Sequence, residues 1–217
     1  MAVTATLSNH LKYQIGKGLI NLTSDTVKVL LMGNGFVFNK DNHASLINIK
    51  TDSGSISITL AATGKTITRG SGSFITDGFV IGNKITTNAT NNPGPFTITD
   101  VSALVITVSE TVVDEGPVTK TVTSNDELTT NYGYVQNTKT TGIITGTEND
   151  TNDRGDFTFP TITWNASGGD IGPTPGAILY DDTSSDNTII GYLDFGGNQT
   201  ATSGNPFNIS NGAIYIN

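Results

Sequence analysis

The sequence predicts an all-β protein, mainly an antiparallel β-sandwich or barrel, with one short N-terminal helix. Three observations carry this. From Ser55 onward, short alternating runs recur between Gly, Asn and Asp breaks, the pattern of many brief strands. Thr is roughly one residue in six, and a β-branched side chain suits a half-solvated pleated surface. Only one segment, near the start, has helical spacing.

In that segment Leu7, Leu11, Ile15 and Leu19 recur every four residues, with Tyr13 and Ile20 beside the stripe. Thr6 or Ser8 is the expected N-cap, and Gly16 and Gly18 set the expected stop near Gly18. Residues 26–32 (TVKVLLM) form a near-continuous apolar run, expected to be a buried strand that Gly33, Asn34 and Gly35 terminate. Alternating strands are expected at 56–60, 65–69, 83–87, 96–101, 103–109 and 118–122. Others follow at 132–136, 155–164, 176–181, 189–195 and 213–217. Pro160 inside one run marks an edge strand or a bulge.

The strands of 55–124 form a self-contained string the size of a small barrel. The expected organisation is a discontinuous main β domain, 1–54 with 125–217, carrying 55–124 as an inserted small β-barrel-like module.

Composition excludes several classes. With no Cys there is no disulfide framework, thiolate metal site or Cys nucleophile. A net charge of −8 with 11 Lys+Arg disfavours nucleic acid and anionic membranes, because few cations are present to replace counterions. No apolar run reaches the ~18 residues of a transmembrane helix. No basic stretch followed by an apolar one opens the chain, so it is expected to start near Met1 and be made in a cytoplasm.

Chemical motifs are sparse. Gly64-Lys65-Thr66 resembles the end of a phosphate loop, but Thr59 stands where the first Gly is needed and a strand follows instead of a helix. Arg154-Gly155-Asp156 is read as a tight turn in which Gly155 takes a positive φ. Glu148, Asp150, Asn152, Asp153 and Asp156 are rich in oxygen, but Arg154 breaks the EF-hand order. Asp150, Asn152 and Asp153 stay as Ca²⁺ candidates beside the ordinary reading of a solvated turn, and Asp181, Asp182 and Asp186 are read the same way. His10 and His43 form no pair at metal spacing, and Gly70-Ser71-Gly72 is no nucleophile elbow. Two acids distant in the chain could still meet for glycoside hydrolysis, but sugar clefts display several aromatic rings and the lone Trp164 reads as core. The expectation is no enzyme, no catalytic residues and no cofactor.

Three stretches resemble a family of small virion structural proteins of tailed bacteriophages. In 11–43, Leu22, Asp25, Thr26, Val27, Lys28, Val29 and Leu31 fit its "L-x-x-D-T-I-K-V-x-L" strand, and Asn39–His43 its "D-x-x-H" stretch. Residues 149–169 resemble its "D-N-T-N-D-R" strand. Residues 176–217 resemble "G-A-V-L-Y-x-D-T" followed by "I-G-Y-I-D-F-G", with Asn187 and Thr188 in place of Pro and Leu and Ser210 near the usual Trp. The middle is similar to a recurring phage β module, with Asn83 for the usual Asp and Pro93-Gly94-Pro95 at its turn.

The resemblance implies a virion structural protein. The first expectation is a capsid decoration (cement) protein on the outer head surface, bound to the major capsid protein and to copies of itself as a homo-oligomer such as a trimer. Threonine and asparagine can hydrogen-bond across such a seam without the desolvation cost of charges. The second expectation is a tail or fibre protein that binds a host receptor or glycan, with Phe74, Phe79, Asn91, Asn92 and Phe96 as contact candidates. Core packing is the competing reading of those three Phe.

Overall fold

The structure, a computed structural model, describes residues 2–217. β1 (Ala2–Leu7), α1 (Asn9–Gly16) and β2 (Val27–Leu31) open the chain. Eight strands follow: β3 (Lys50–Asp52), β4 (Ile56–Ala61), β5 (Thr66–Arg69), β6 (Lys84–Thr87), β7 (Phe96–Val101), β8 (Val105–Val108), β9 (Glu115–Lys120) and β10 (Val122–Asn125). The last seven are β11 (Lys139–Thr140), β12 (Thr145–Asn149), β13 (Arg154–Phe159), β14 (Ile162–Asn165), β15 (Ile171–Asp181), β16 (Ile189–Ala201) and β17 (Pro206–Ile216). The fold is all-β: two sheets rich in antiparallel pairs, one of them curled into a half-barrel, and a single short helix.

The chain divides into two compact units, residues 2–46 with Glu127–Asn217, and Ile47–Asp126. The smaller unit therefore starts before the expected Ser55. The reason is pairing: β3 aligns antiparallel with β10, Ser124 opposite Thr51. Its eight strands run β3-β10-β6-β7-β8-β5-β4-β9 around a core of Ile58, Leu60, Ile67, Phe79, Ile85 and Ile106. The expected 118–122 strand is split, with β9 ending at Lys120 and β10 beginning at Val122.

The larger unit holds a nine-stranded sheet, β11-β2-β15-β16-β1-β17-β13-β12, with β14 joined to β17. Its core gathers Leu11, Val29, Leu31, Trp164, Leu179, Leu193 and Ile214. Trp164 is core, packed edge-on against Phe207.

The helix is shorter than its apolar spacing suggests. Ser8 is the N-cap, its Oγ accepting from His10 N–H at 3.1 Å. Gly18 turns left-handed (φ 69°) and ends the helix: its N–H donates to Ile15 O, and Leu19 N–H donates to Gln14 O. That bond pair satisfies carbonyls the helix end would otherwise leave open. Leu11 is fully buried, but Leu7 lies in β1 and Leu19 is exposed, so the stripe belongs to three different structures.

Residues 132–136 form no strand. Tyr132, Gly133 and Asn137 all have positive φ, which breaks the extended backbone a strand needs. Pro160 separates β13 from β14 without shifting register, since Phe159 faces Gly212 and Ile162 faces Ile209. β14 pairs with β17 alone, so the missing proline N–H falls at a sheet edge.

Candidate interaction surface

The three phenylalanines expected as contacts are core residues, each no more than 5% exposed. Phe74 and Phe79 meet edge-to-face at 5.6 Å, and the Arg69 guanidinium lies 4.8 Å from the Phe74 ring centre. Their alternation with polar residues reflects burial in the smaller sheet, so they present nothing to a partner. Asn92 is buried too. Its Nδ2 donates to Val113 O and Glu115 Oε2, and its Oδ1 accepts from Val113 N–H. Asn91 is exposed, and its backbone N–H donates to Glu115 Oε2 at 2.9 Å. Thr90 N–H donates to the other carboxylate oxygen, so Glu115 holds this turn. These donors keep the Glu115 carboxyl below its ordinary pKa.

Asp150, Asn152 and Asp153 lie in the turn between β12 and β13. Asn152 N–H and Nδ2 both donate to Asn149 Oδ1. The residue with positive φ is Asp153, not Gly155. A Cβ at Gly155 would make a tight 3.0 Å contact with the Phe157 ring. Arg154 and Asp156 pair with each other, Nε to Oδ1 at 2.6 Å, and Asn149 Nδ2 donates to Asp156 Oδ2 at 2.7 Å. Asn149 and Arg154 together hold the Asp156 carboxyl below its usual range. The Arg154 guanidinium also stacks 3.6 Å over Tyr215. Both charged ends of the tripeptide are thus engaged within the hairpin. Gly64 and Lys65, both with positive φ, form the turn between β4 and β5, with no helix to receive a phosphate.

The feature of the larger unit with most interaction character is its open edge. β12 pairs only with β13, and four of its five residues are exposed. Ile143, just before it, is 80% exposed. A cleft of about 520 Å³ lies along β12, lined by Thr23, Gly146, Glu148, Arg154 and Phe157. A second of about 310 Å³, lined by Thr23, Thr140, Ile143 and Ile144, shares Thr23 with it. An edge strand offers unpaired backbone groups to another chain, and an exposed apolar side chain beside it offers area to bury. Sequence reasoning missed this strand because TGTEN has no alternating apolar face.

Two buried titratable groups act structurally. His43 stacks on Phe36 and meets Phe38 at a tilt, its Nδ1 accepting from Asn39 N–H at 3.1 Å. Burial lowers its pKa to about 4, so the ring is neutral. Asp126 accepts from Lys84 N–H and Asn83 Nδ2, and burial raises its pKa to about 6. On α1, His10 Nε2 lies 2.8 Å from Asp186 Oδ2. Among the described residues no three His, Cys, Asp or Glu side chains gather as a metal group. No helix there is long and apolar enough to cross a membrane.

Compared with protein-family models, curated proteins and solved structures, the chain matches none.

Proposed function

We propose that the chain is a bacteriophage virion structural protein that decorates the outer surface of the head. The observation that carries the contact is the open β12 edge beside Ile143. A strand added there from a capsid subunit, or from a second copy, would pair the free backbone groups and bury the isoleucine. The particle as location is supported by the resemblance of 11–43, 149–169 and 176–217 to small virion proteins. The low charged fraction of 14% suits a seam held by Thr and Asn, and the net −8 suits a surface away from packaged DNA. Repetition of one modest contact over a symmetric shell makes decoration stabilising.

Depletion of the protein tests this. Particles assembled without it should lose heat and EDTA resistance while adsorbing to host cells normally. Loss of adsorption with intact, heat-resistant heads would overturn the reading in favour of a tail or fibre protein that binds a receptor or glycan.

A further inference from the structure

The turn before β2 and the turn after β15 meet in the larger unit. Thr26 N–H donates to Thr183 Oγ1 at 2.8 Å, and Asp182 N–H donates to Thr26 O at 2.8 Å. This lacing sets Asp25 against Asp181. Asp181 is completely buried. Its Oδ1 accepts from the N–H groups of Thr183 and Ser184 at 2.7 and 3.1 Å. Its Oδ2 is equally buried and receives no hydrogen bond. The side chain in hydrogen-bonding reach of this carboxyl is Asp25, itself a carboxylate. An acceptor therefore faces an acceptor.

The Lys28 ammonium is engaged elsewhere, its Nζ 2.9 Å from Asp182 Oδ2, and the His10 ring is hydrogen-bonded to Asp186. Asp25 accepts from Asn21 N–H at 2.6 Å and Ser24 Oγ at 3.2 Å, which fixes its carboxylate but adds no positive charge. Two facing carboxylates, one of them fully buried, are relieved either by a shared proton or by a cation between them.

We propose that Asp25 and Asp181 hold a divalent cation, with Ca²⁺ as the fitting ion. Both ligands are hard carboxylate oxygens, and no nitrogen or sulfur donor takes part. Two carboxylates balance the charge of the ion. Two carboxylates alone are a sparse protein ligand set, which sets a modest affinity of about 10⁻⁴–10⁻³ M. The site joins two turns distant in sequence, so an occupied site would brace one part of the larger unit. It differs from the 148–156 hairpin, where Asp156 is already met by Arg154 and Asn149. It is independent of the proposed place in a virion.

The test uses the purified full chain after dialysis against EDTA, titrated calorimetrically with CaCl₂ at pH 7.5 and melted with and without the ion. Asp181→Asn is the informative variant: its Oδ1 still accepts from Thr183 and Ser184, and its new amide can donate to Asp25, so the fold is kept. The expected result is one Ca²⁺ per chain and a Tm raised by about 3 °C at tenfold excess over Kd. In Asp181→Asn, affinity should fall at least tenfold and the Tm response should vanish. If that variant does not fold, Asp25→Asn, on the less buried partner, carries the same comparison. No calcium binding by the wild type, or equal binding by wild type and variant, would overturn the proposal and leave the pair sharing a proton.

Discussion

The Tyr134 hydroxyl donates to Glu127 Oε1 at 2.8 Å and accepts from Leu31 N–H at 3.0 Å. Glu127 Oε1 also accepts from Asn137 N–H at 2.7 Å. Residues 127–137 form a loop with almost no regular structure, and this buried tyrosine ties it to β2. Burial, and then the Glu127 carboxylate beside it, push the phenol pKa far upward, so the hydroxyl stays protonated and acts as a donor. Tyr134→Phe should destabilise the larger unit by about 1–3 kcal/mol, because Leu31 N–H and a buried carboxylate each lose a partner. Chemical denaturation of both proteins measures it.

Asp126 gives the smaller unit an unusual pH dependence. Its folded pKa of about 6 lies above the ordinary 3.8, so the folded state binds the proton more tightly. Stability from this group is present in full below pH 4 and is lost as pH rises through 6. The melting transition of the smaller unit should therefore rise as pH is lowered from 6.5 to 5. Asp126→Asn should flatten that slope, whatever it does to absolute stability. The lowered carboxyl pKa values of Glu110 and Glu115 act only at lower pH.

His43 acts with the opposite sign. Its folded pKa of about 4 is depressed from 6.5 by burial, so its contribution is present above pH 6.5 and is lost as pH falls toward 4. In the same unit, burial and the neighbouring Asp25 raise the Asp181 pKa to about 6, which offsets this slope. The ring should therefore be observed directly. Its NMR resonances should stay at the neutral position from pH 8 to pH 5.

Gly212 faces Phe159 across the β13–β17 pair, and a Cβ at 212 would land on the phenylalanine ring. Gly212→Ala should cost about 1–3 kcal/mol through overpacking, since Phe159 is itself buried. Combining it with Phe159→Leu should recover part of the loss, and thermal melts of the single and double variants decide this.

Ile143 is exposed, so Ile143→Asp should change stability by no more than about 0.5 kcal/mol. If the β12 edge makes the capsid contact, the same change should lower incorporation into particles at least tenfold. Quantifying the protein in purified particles against its melting temperature separates the two effects.

Much of the fold was legible where side-chain period was the deciding force. ISITL, KITT and VITV alternate because one face of each is core, and all three are strands. Residues 2–7 alternate as well, with Val3 and Ala5 buried between exposed Thr4 and Thr6. That strand was hidden because Leu7 also fits the helical spacing that follows. Residues 132–137 form a turn although YGYVQ alternates like a strand, because a left-handed backbone leaves no mark in a pattern of polarity. The facing of Asp25 and Asp181 could not be read at all. The two are 156 positions apart, and only the pairing of β2 with β15 brings their turns together.

Cryo-electron microscopy of the intact particle tests the proposed function most directly. The account predicts density for this chain on the outer head surface, at regular lattice positions, with β12 against a capsid subunit or a second copy. Density confined to the tail, or lining the inner wall of the shell, would contradict it.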